Sequence, residues 1–289
     1  MDTGIKSLVC EISTSPQKMK AYNINKEWVL QKIEETIKYA KKASLYVAFF
    51  AVDSTRAEID FLEKVYKKAV YECGADEVVV VDTVGISTPE QVYYLTKRVG
   101  KWLKDIPIMI HCHNEFGLGV ACTLAGIKAG AKYAHVTING LGEKSGNADL
   151  SEVVMASELL YGLKTNIDKK LLYETSKKVS EYSGIQVSKQ KPIVGENIFK
   201  RDTGLAVHQL ISYPSAVEAY NPEIIGRERE ILLGKKSGKA SILFMLKKLG
   251  LSVSSENVNK ILDQVKKLGI EKKSNITIEE FKEIVKSYN

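Results

Sequence analysis

Apolar runs alternate with amphipathic stretches along the first half of the chain. Leu8–Thr14, Leu45–Asp53, Glu77–Val84, Ile106–Asn114 and Tyr133–Gly140 are short, β-branched-rich segments that read as buried strands. Each is followed by a segment of helical periodicity. In Trp28–Ala40 and Ile59–Val70, Lys and Glu point outward while Leu, Ile, Val and Ala recur at helical spacing. Asn25 stands where an N-cap is expected, and Thr88 precedes Pro89 at a first helical position. About five strand–helix units, repeating roughly every 30 residues, predict parallel strands with helical crossovers and hence an α/β fold. A closed (β/α) barrel needs eight such units. Five leave two open edges, so this pattern describes either an open sheet or a barrel from whose start three units are missing.

The rhythm stops after Gly162. Ile167–Gly184 reads as helical, Ile185–Asp202 as irregular, and the chain from Lys239 as helical again, its last helix opened by the capping box Thr277–Glu280. The expected division is therefore a strand–helix domain over residues 1–165 and a linker with a mostly α subdomain over 166–289. Within 289 residues, 42 Lys and Arg against 35 Asp and Glu leave a net charge of +7. The excess is spread over Lys-rich helix faces, and no basic block is interleaved with aromatics. That argues against a nucleic-acid partner and suits anionic metabolites. Cys10, Cys73, Cys112 and Cys122 have no CxxC spacing and read as reduced thiols of a cytoplasmic protein. No apolar run of about 18 residues suggests a membrane span.

Candidate chemistry gathers between Ile108 and Asn147. His111 and His113 lie two apart at the end of an apolar strand and so share a face. Two imidazoles side by side suit a divalent metal, and they are half of the chain's four histidines. Backbone partners for both rings are the plainer alternative. The loop Asn139–Asn147 carries GxGxxxG spacing, which is not the dinucleotide fingerprint; it reads as a strand-to-helix loop or an anion cradle. Asp82 and Thr83 could cap a turn or bind a ligand. Asp53 and Arg56 read as a structural ion pair, His135 as a structural residue of an apolar strand, and Cys112 as core, facing away from the two histidines.

Residues 109–162, with an HxHN strand and an NGxGExxGN loop, resemble the DRE-TIM metallolyases: isopropylmalate, homocitrate and citramalate synthases and hydroxymethylglutaryl-CoA lyase. The likeness extends through DTVGISTPE (82–90), VGENIF (194–199) and IIGREREILLGKKSGKASI (224–242), into the C-terminal region found in the synthases and lacking in the lyases. The resemblance implies a TIM barrel with its site at the C-terminal strand ends, here incomplete and followed by the synthases' helical subdomain. It implies Claisen condensation of acetyl-CoA with a 2-oxo acid chelated by Mg²⁺, Mn²⁺ or Zn²⁺. By the same carry-over His111 and His113 are metal ligands, Asn147 lies beside the metal, Thr83 hydrogen-bonds the oxo-acid carboxylate, and Glu143 sits in the loop over the site. A homodimer, or a complex with a barrel-completing N-terminal subunit, is the implied assembly.

Departures from the family pattern set further expectations. The Arg-Asp-Glu strand is lacking, and the likeness begins at the family's fourth strand, where ISTSPQKMK (12–20) carries Lys18 in place of His. Val52 stands for Glu, Glu115 for Asp, and Ala48 for the Arg of homocitrate synthases, which disfavours homocitrate. Ala206 and Val217 occupy the positions of the family's catalytic His and its supporting Tyr, and neither can transfer a proton. His208, close by, is the first substitute. The expectations are an impaired acyltransferase or a silent or split-enzyme partner subunit, with no leucine-binding regulatory domain.

Overall fold

Alternate residues of a strand face opposite sides, and in the first half of this chain that alternation separates a helix-packed face from a half-open one. The computed structural model describes residues 4–288, so the outermost bounds expected for the two domains, 1 and 289, lie outside the described residues. The chain divides between Ile167 and Asp168 into two compact units.

In the first unit the elements run β1 (Ser7–Ser13), α1 (Pro16–Ala21), α2 (Lys26–Lys42), β2 (Tyr46–Val52), α3 (Ile59–Lys67, continued by a π-helical turn over Lys68–Glu72), β3 (Glu77–Asp82), α4 (Pro89–Leu103), β4 (Ile108–Cys112), α5 (Gly119–Ala129), β5 (Tyr133–His135) and α6 (Leu150–Leu159). The five strands are parallel and lie in chain order, β1-β2-β3-β4-β5, with β1 and β5 at the edges. Cys10, Phe49, Val78 and Ile108 fall in one register row and pack with Ile33, Leu62, Val99 and Cys122 of the helices in a single core. The opposite face carries Val9, Phe50, Met109, His111, Tyr133 and His135. Towards the edges it is open: Val9 and Tyr133 are 55% and 54% exposed.

The predicted caps form. Asn25 Oδ1 accepts the Trp28 N–H at 2.8 Å, and Thr88 and Gln91 make a reciprocal capping box with Pro89 in the first turn. Strand β5 ends at His135, five residues short of the expected limit. Thr137 pairs instead with the returning loop, its N–H donating to Ala148 O at 3.0 Å, and Ile138–Gly140 forms a 3₁₀ turn through the left-handed backbone of Asn139. All four cysteines are buried free thiols. Among the described residues no helix is long and apolar enough to cross a membrane.

The second unit is mostly helical: α7 (Leu172–Ser183), α8 (Gly204–Ser212), α9 (Lys239–Lys248), α10 (Ser255–Lys272) and α11 (Ile278–Lys286), with one short parallel pair, β6 (Lys200–Arg201) and β7 (Glu230–Ile231). Residues 185–199 are irregular as expected, whereas α8 had no counterpart in the hydrophobic pattern. Ile242, Ile261, Val265 and Phe281 form its main core, and Thr277 and Glu280 close the predicted capping box.

Gly126 is the tightest point of the first unit's helix–sheet packing. A Cβ there would lie 2.7 Å from Ile110 Cγ1 and 3.1 Å from its Cβ. Gly126→Ala should therefore destabilise the protein by about 1–3 kcal/mol of overpacking, more than the roughly 1 kcal/mol that alanine gains in a helix. Urea denaturation should show a lower midpoint than wild type; an unchanged or higher midpoint would mean that α5 and β4 separate without cost.

Candidate active site

Parallel pairing brings the C-terminal ends of β3, β4 and β5 side by side, and the register places Val81, His111 and His135 in one row. The rings of His111 and His113 stand with centroids 5.2 Å apart, so the expected pair is formed. The loop after β5 then folds back over them. Gly146 N–H donates to Glu143 O (2.8 Å), Asn147 N–H to Gly140 O (3.0 Å) and Asn114 N–H to Gly146 O (3.1 Å), and Asn147 faces His113 in an antiparallel bridge. The loop thereby delivers the Asn147 amide nitrogen to 3.3 Å from His111 Nε2. Gly142 makes this approach possible, since a Cβ there would lie 2.1 Å from Asn147 Oδ1.

Lys144 completes the cluster and was not anticipated. Left-handed at φ 56°, it directs its ammonium to His113 Nδ1 (3.1 Å) and Thr83 O (3.2 Å), with Glu115 Oε1 at 3.6 Å. Thr83 sits beside it, its Oγ1 accepting the Asp53 N–H at 2.8 Å. Glu143 is exposed in the same loop. His208 is exposed on α8 of the second unit, on the wall of a cavity of about 780 Å³ that Leu243 and Phe244 also line. Ala206 is on the same helix, and Val217 follows it after a 3₁₀ turn.

Three neighbouring carboxylates have other duties. Buried Asp53 accepts from Ser15 Oγ and from Arg56 Nε (2.9 Å), so the expected Asp53–Arg56 pair is present. Asp82 accepts from Thr55 Oγ1 (3.0 Å) and Ser87 N–H (3.1 Å). Glu115, without a hydrogen bond among the described residues, faces the Lys144 ammonium. Among the described residues no three His, Cys, Asp or Glu side chains gather as a metal site. The donors on hand are two imidazoles and an amide, which fit one side of a divalent ion without the carboxylate that would tighten its hold.

The site's electrostatics favour neutral imidazole. Burial first, and then His135, His113 and the Lys144 cation, lower the His111 pKa to about 4, and burial lowers that of His135. At neutral pH His111 therefore keeps the nitrogen lone pair that a metal ligand needs. His135, read from the sequence as structural, lies directly against this ring, Nδ1 to Nδ1 at 3.3 Å, and stacks on Phe50 with centroids 5.3 Å apart. Its place was implicit in the strand pattern, because both histidines lie on the sheet's open face at the ends of consecutive parallel strands.

Residues 1–179 match the HMGL-like family, and residues 193–273 match the homocitrate synthase post-HMGL domain-like family. Homocitrate synthase AksA of Methanopyrus kandleri is 39% identical over 288 residues, covering 99% of this chain and 72% of that protein. The 2-isopropylmalate synthase of Methanocaldococcus jannaschii is 43% identical over 275 residues, covering 93% of this chain and 52% of that one. Against these two relatives, then, the chain spans between about half and three quarters of their length. In fold it is similar to hydroxymethylglutaryl-CoA lyase from Pseudomonas aeruginosa, with a TM-score of 0.57 at 17% identity over 64% of this chain and 65% of that one. Matched by the family model over well over half its length, and by synthases over nearly all of it, the chain belongs to the HMGL-like family of DRE-TIM metallolyases, with isopropylmalate, homocitrate and citramalate synthases as its homologues.

Proposed function

We propose that this chain is an acyltransferase of the 2-isopropylmalate/homocitrate synthase type, joining acetyl-CoA to a 2-oxo acid by Claisen condensation in the reduced cytoplasm. The observation that carries the reading is the convergence of His111, His113, Asn147 and the Lys144 ammonium at the C-terminal strand ends. A bound Mg²⁺, Mn²⁺ or Zn²⁺ supplies Lewis acidity to the oxo-acid carbonyl. His111 through Nε2 and His113 would hold it, with Asn147 beside them, its amide hydrogen bond to His111 Nε2 giving way to the ion. Thr83 and Lys144 present a hydroxyl and a cation to the substrate carboxylate. Glu143, in the loop over the site, and His208 are the groups assigned to proton transfer, because Ala206 and Val217 have no proton to move.

The open sheet face supports a second reading. Val9, Tyr46 and Tyr133, all well exposed, lie on the face that bears the histidines. Apolar and aromatic surface of this kind is costly to leave in water, so a homodimer or a barrel-completing partner covers it, and the chain works as one half of a split enzyme. Light scattering at micromolar concentration should show a species larger than a monomer.

Thiol release from acetyl-CoA with pyruvate, 2-oxoisovalerate, oxaloacetate or 2-oxoglutarate tests the chemistry. The isolated chain should release little CoA, since its donors lack the carboxylate that would tighten the hold on a metal. Activity restored by an N-terminal partner supports the split enzyme, and robust turnover without one refutes it. Silence with every partner and oxo acid rejects the acyltransferase. Metal binding is checked separately by Mn²⁺ titration: His111→Ala with His113→Ala should abolish it, and equal binding by the double variant would reject the site.

Lys144 gives a test with the opposite sign. Its ammonium occupies the Nδ1 lone pair of His113 and repels a divalent cation. Without oxo acid present, Lys144→Met should bind Mn²⁺ roughly three- to tenfold more tightly than wild type. Weaker binding would show that Lys144 organises the ligands instead of competing with the metal.

A further inference from the structure

Two imidazole nitrogens in contact require one proton between them, because two lone pairs or two N–H groups repel. His111 Nδ1 and His135 Nδ1 stand 3.3 Å apart, so one ring donates to the other. The outer ends of the pair decide which. His111 Nε2 lies 3.3 Å from Asn147 Nδ2, an amide nitrogen that only donates, while Asn147 Oδ1 is turned against Gly142. His135 Nε2 lies 3.2 Å from Met109 Sδ, a thioether that only accepts.

Both ends demand the same arrangement. Asn147 donates to the lone pair on His111 Nε2. His111 carries its proton on Nδ1 and donates it to His135 Nδ1. His135 carries its own proton on Nε2 and points it at Met109. The reverse arrangement sets N–H against NH₂ at one end and a lone pair against sulfur at the other. Phe50, stacked on the His135 ring at an interplanar angle of 26°, and the β4–β5 register hold the acceptor in place.

We propose that His135 is a positioning residue that fixes His111 as the Nδ1–H tautomer, keeping the Nε2 lone pair directed at the site. It deepens the metal-dependent reading of that site, and rests on it for the lone pair's use. Partners of this kind, which take the second N–H of a ligating imidazole, are typically worth about 10–100-fold in metal affinity. Here the acceptor is a neutral ring held by stacking.

The test is made first without metal. Long-range ¹H–¹⁵N correlation on the ¹⁵N-labelled chain at neutral pH reads the tautomer of each histidine, and backbone amide shifts check that each variant keeps the fold. His111 should be protonated on Nδ1 and His135 on Nε2. His135→Phe keeps the stack on Phe50 but removes the acceptor; His111 should then populate both tautomers, and Mn²⁺ affinity should fall about tenfold. His135→Gln, whose carbonyl can accept, should restore the Nδ1–H tautomer. A wild-type His111 protonated on Nε2 overturns the proposal, and so does an unchanged tautomer in His135→Phe. Should that variant fail to fold, the wild-type and His135→Gln spectra still decide. Correct tautomers with no Mn²⁺ binding would sink the metal-dependent reading and leave this one standing.

Discussion

Parallel register is the constraint on which the site depends. Crossover helices oblige β3, β4 and β5 to run the same way, so their C-terminal ends open on one side of the sheet. The row Val81, His111, His135 then sets two imidazoles from separate strands against each other, and the period of two adds His113 on the same face. A slip of one residue in β4 would turn His111 and His113 into the helix-packed core and bring Cys112 out in their place. Ile108 and Ile110, buried on the helix-packed face of β4, exclude that slip, because it would carry both out of the core. Core packing thus protects the site's geometry although none of those residues touches it.

The loop from Asn139 to Asn147 supplies what the strands cannot. Its backbone bonds to Gly140 and Gly146 bring an amide to one histidine and an ammonium to the other. The result is an imidazole-rich end to the sheet, where the Lys144 ammonium faces Glu115 and the acidic neighbours Asp53 and Asp82 are already committed to Arg56, Ser15, Thr55 and Ser87. Such a balance suits an anionic substrate more readily than it holds a dication unaided. A 2-oxo acid arriving with its metal would bring the negative oxygens that these donors lack.

Much of this was readable in the sequence wherever the determinant is local. Asn25, Thr88 and Thr277 cap their helices with partners three residues away, so their signals survive without tertiary knowledge. Apolar runs locate the strands, and β5 stops short of its run only because Val136 to Ile138 continue the β-branched composition while the backbone turns at Asn139. Helix α8 escaped notice because only Val207 and Leu210 of it are fully buried, too few to show a period. Lys144 and His135 escaped for a different reason. Their partners lie 31 and 24 positions back along the chain, and contacts of that span are set by strand pairing and by turns through residues of positive φ.

The same distinction holds for the site's chemistry. His111 and His113 announce themselves by spacing, yet spacing says nothing of which nitrogen is free. That is decided by Asn147, His135 and Met109, each one hydrogen bond further from the motif. A lone pair aimed at a site is a property of the whole chain of donors and acceptors behind it, because reversing any link reverses them all. In this protein the chain ends on a thioether inside the strand that carries His111, so β4 supplies both the first ring and the last acceptor. The tautomer is consequently as rigid as the β4–β5 pairing itself, and a substitution that loosens this edge of the sheet would blur the site's chemistry before it unfolded the domain.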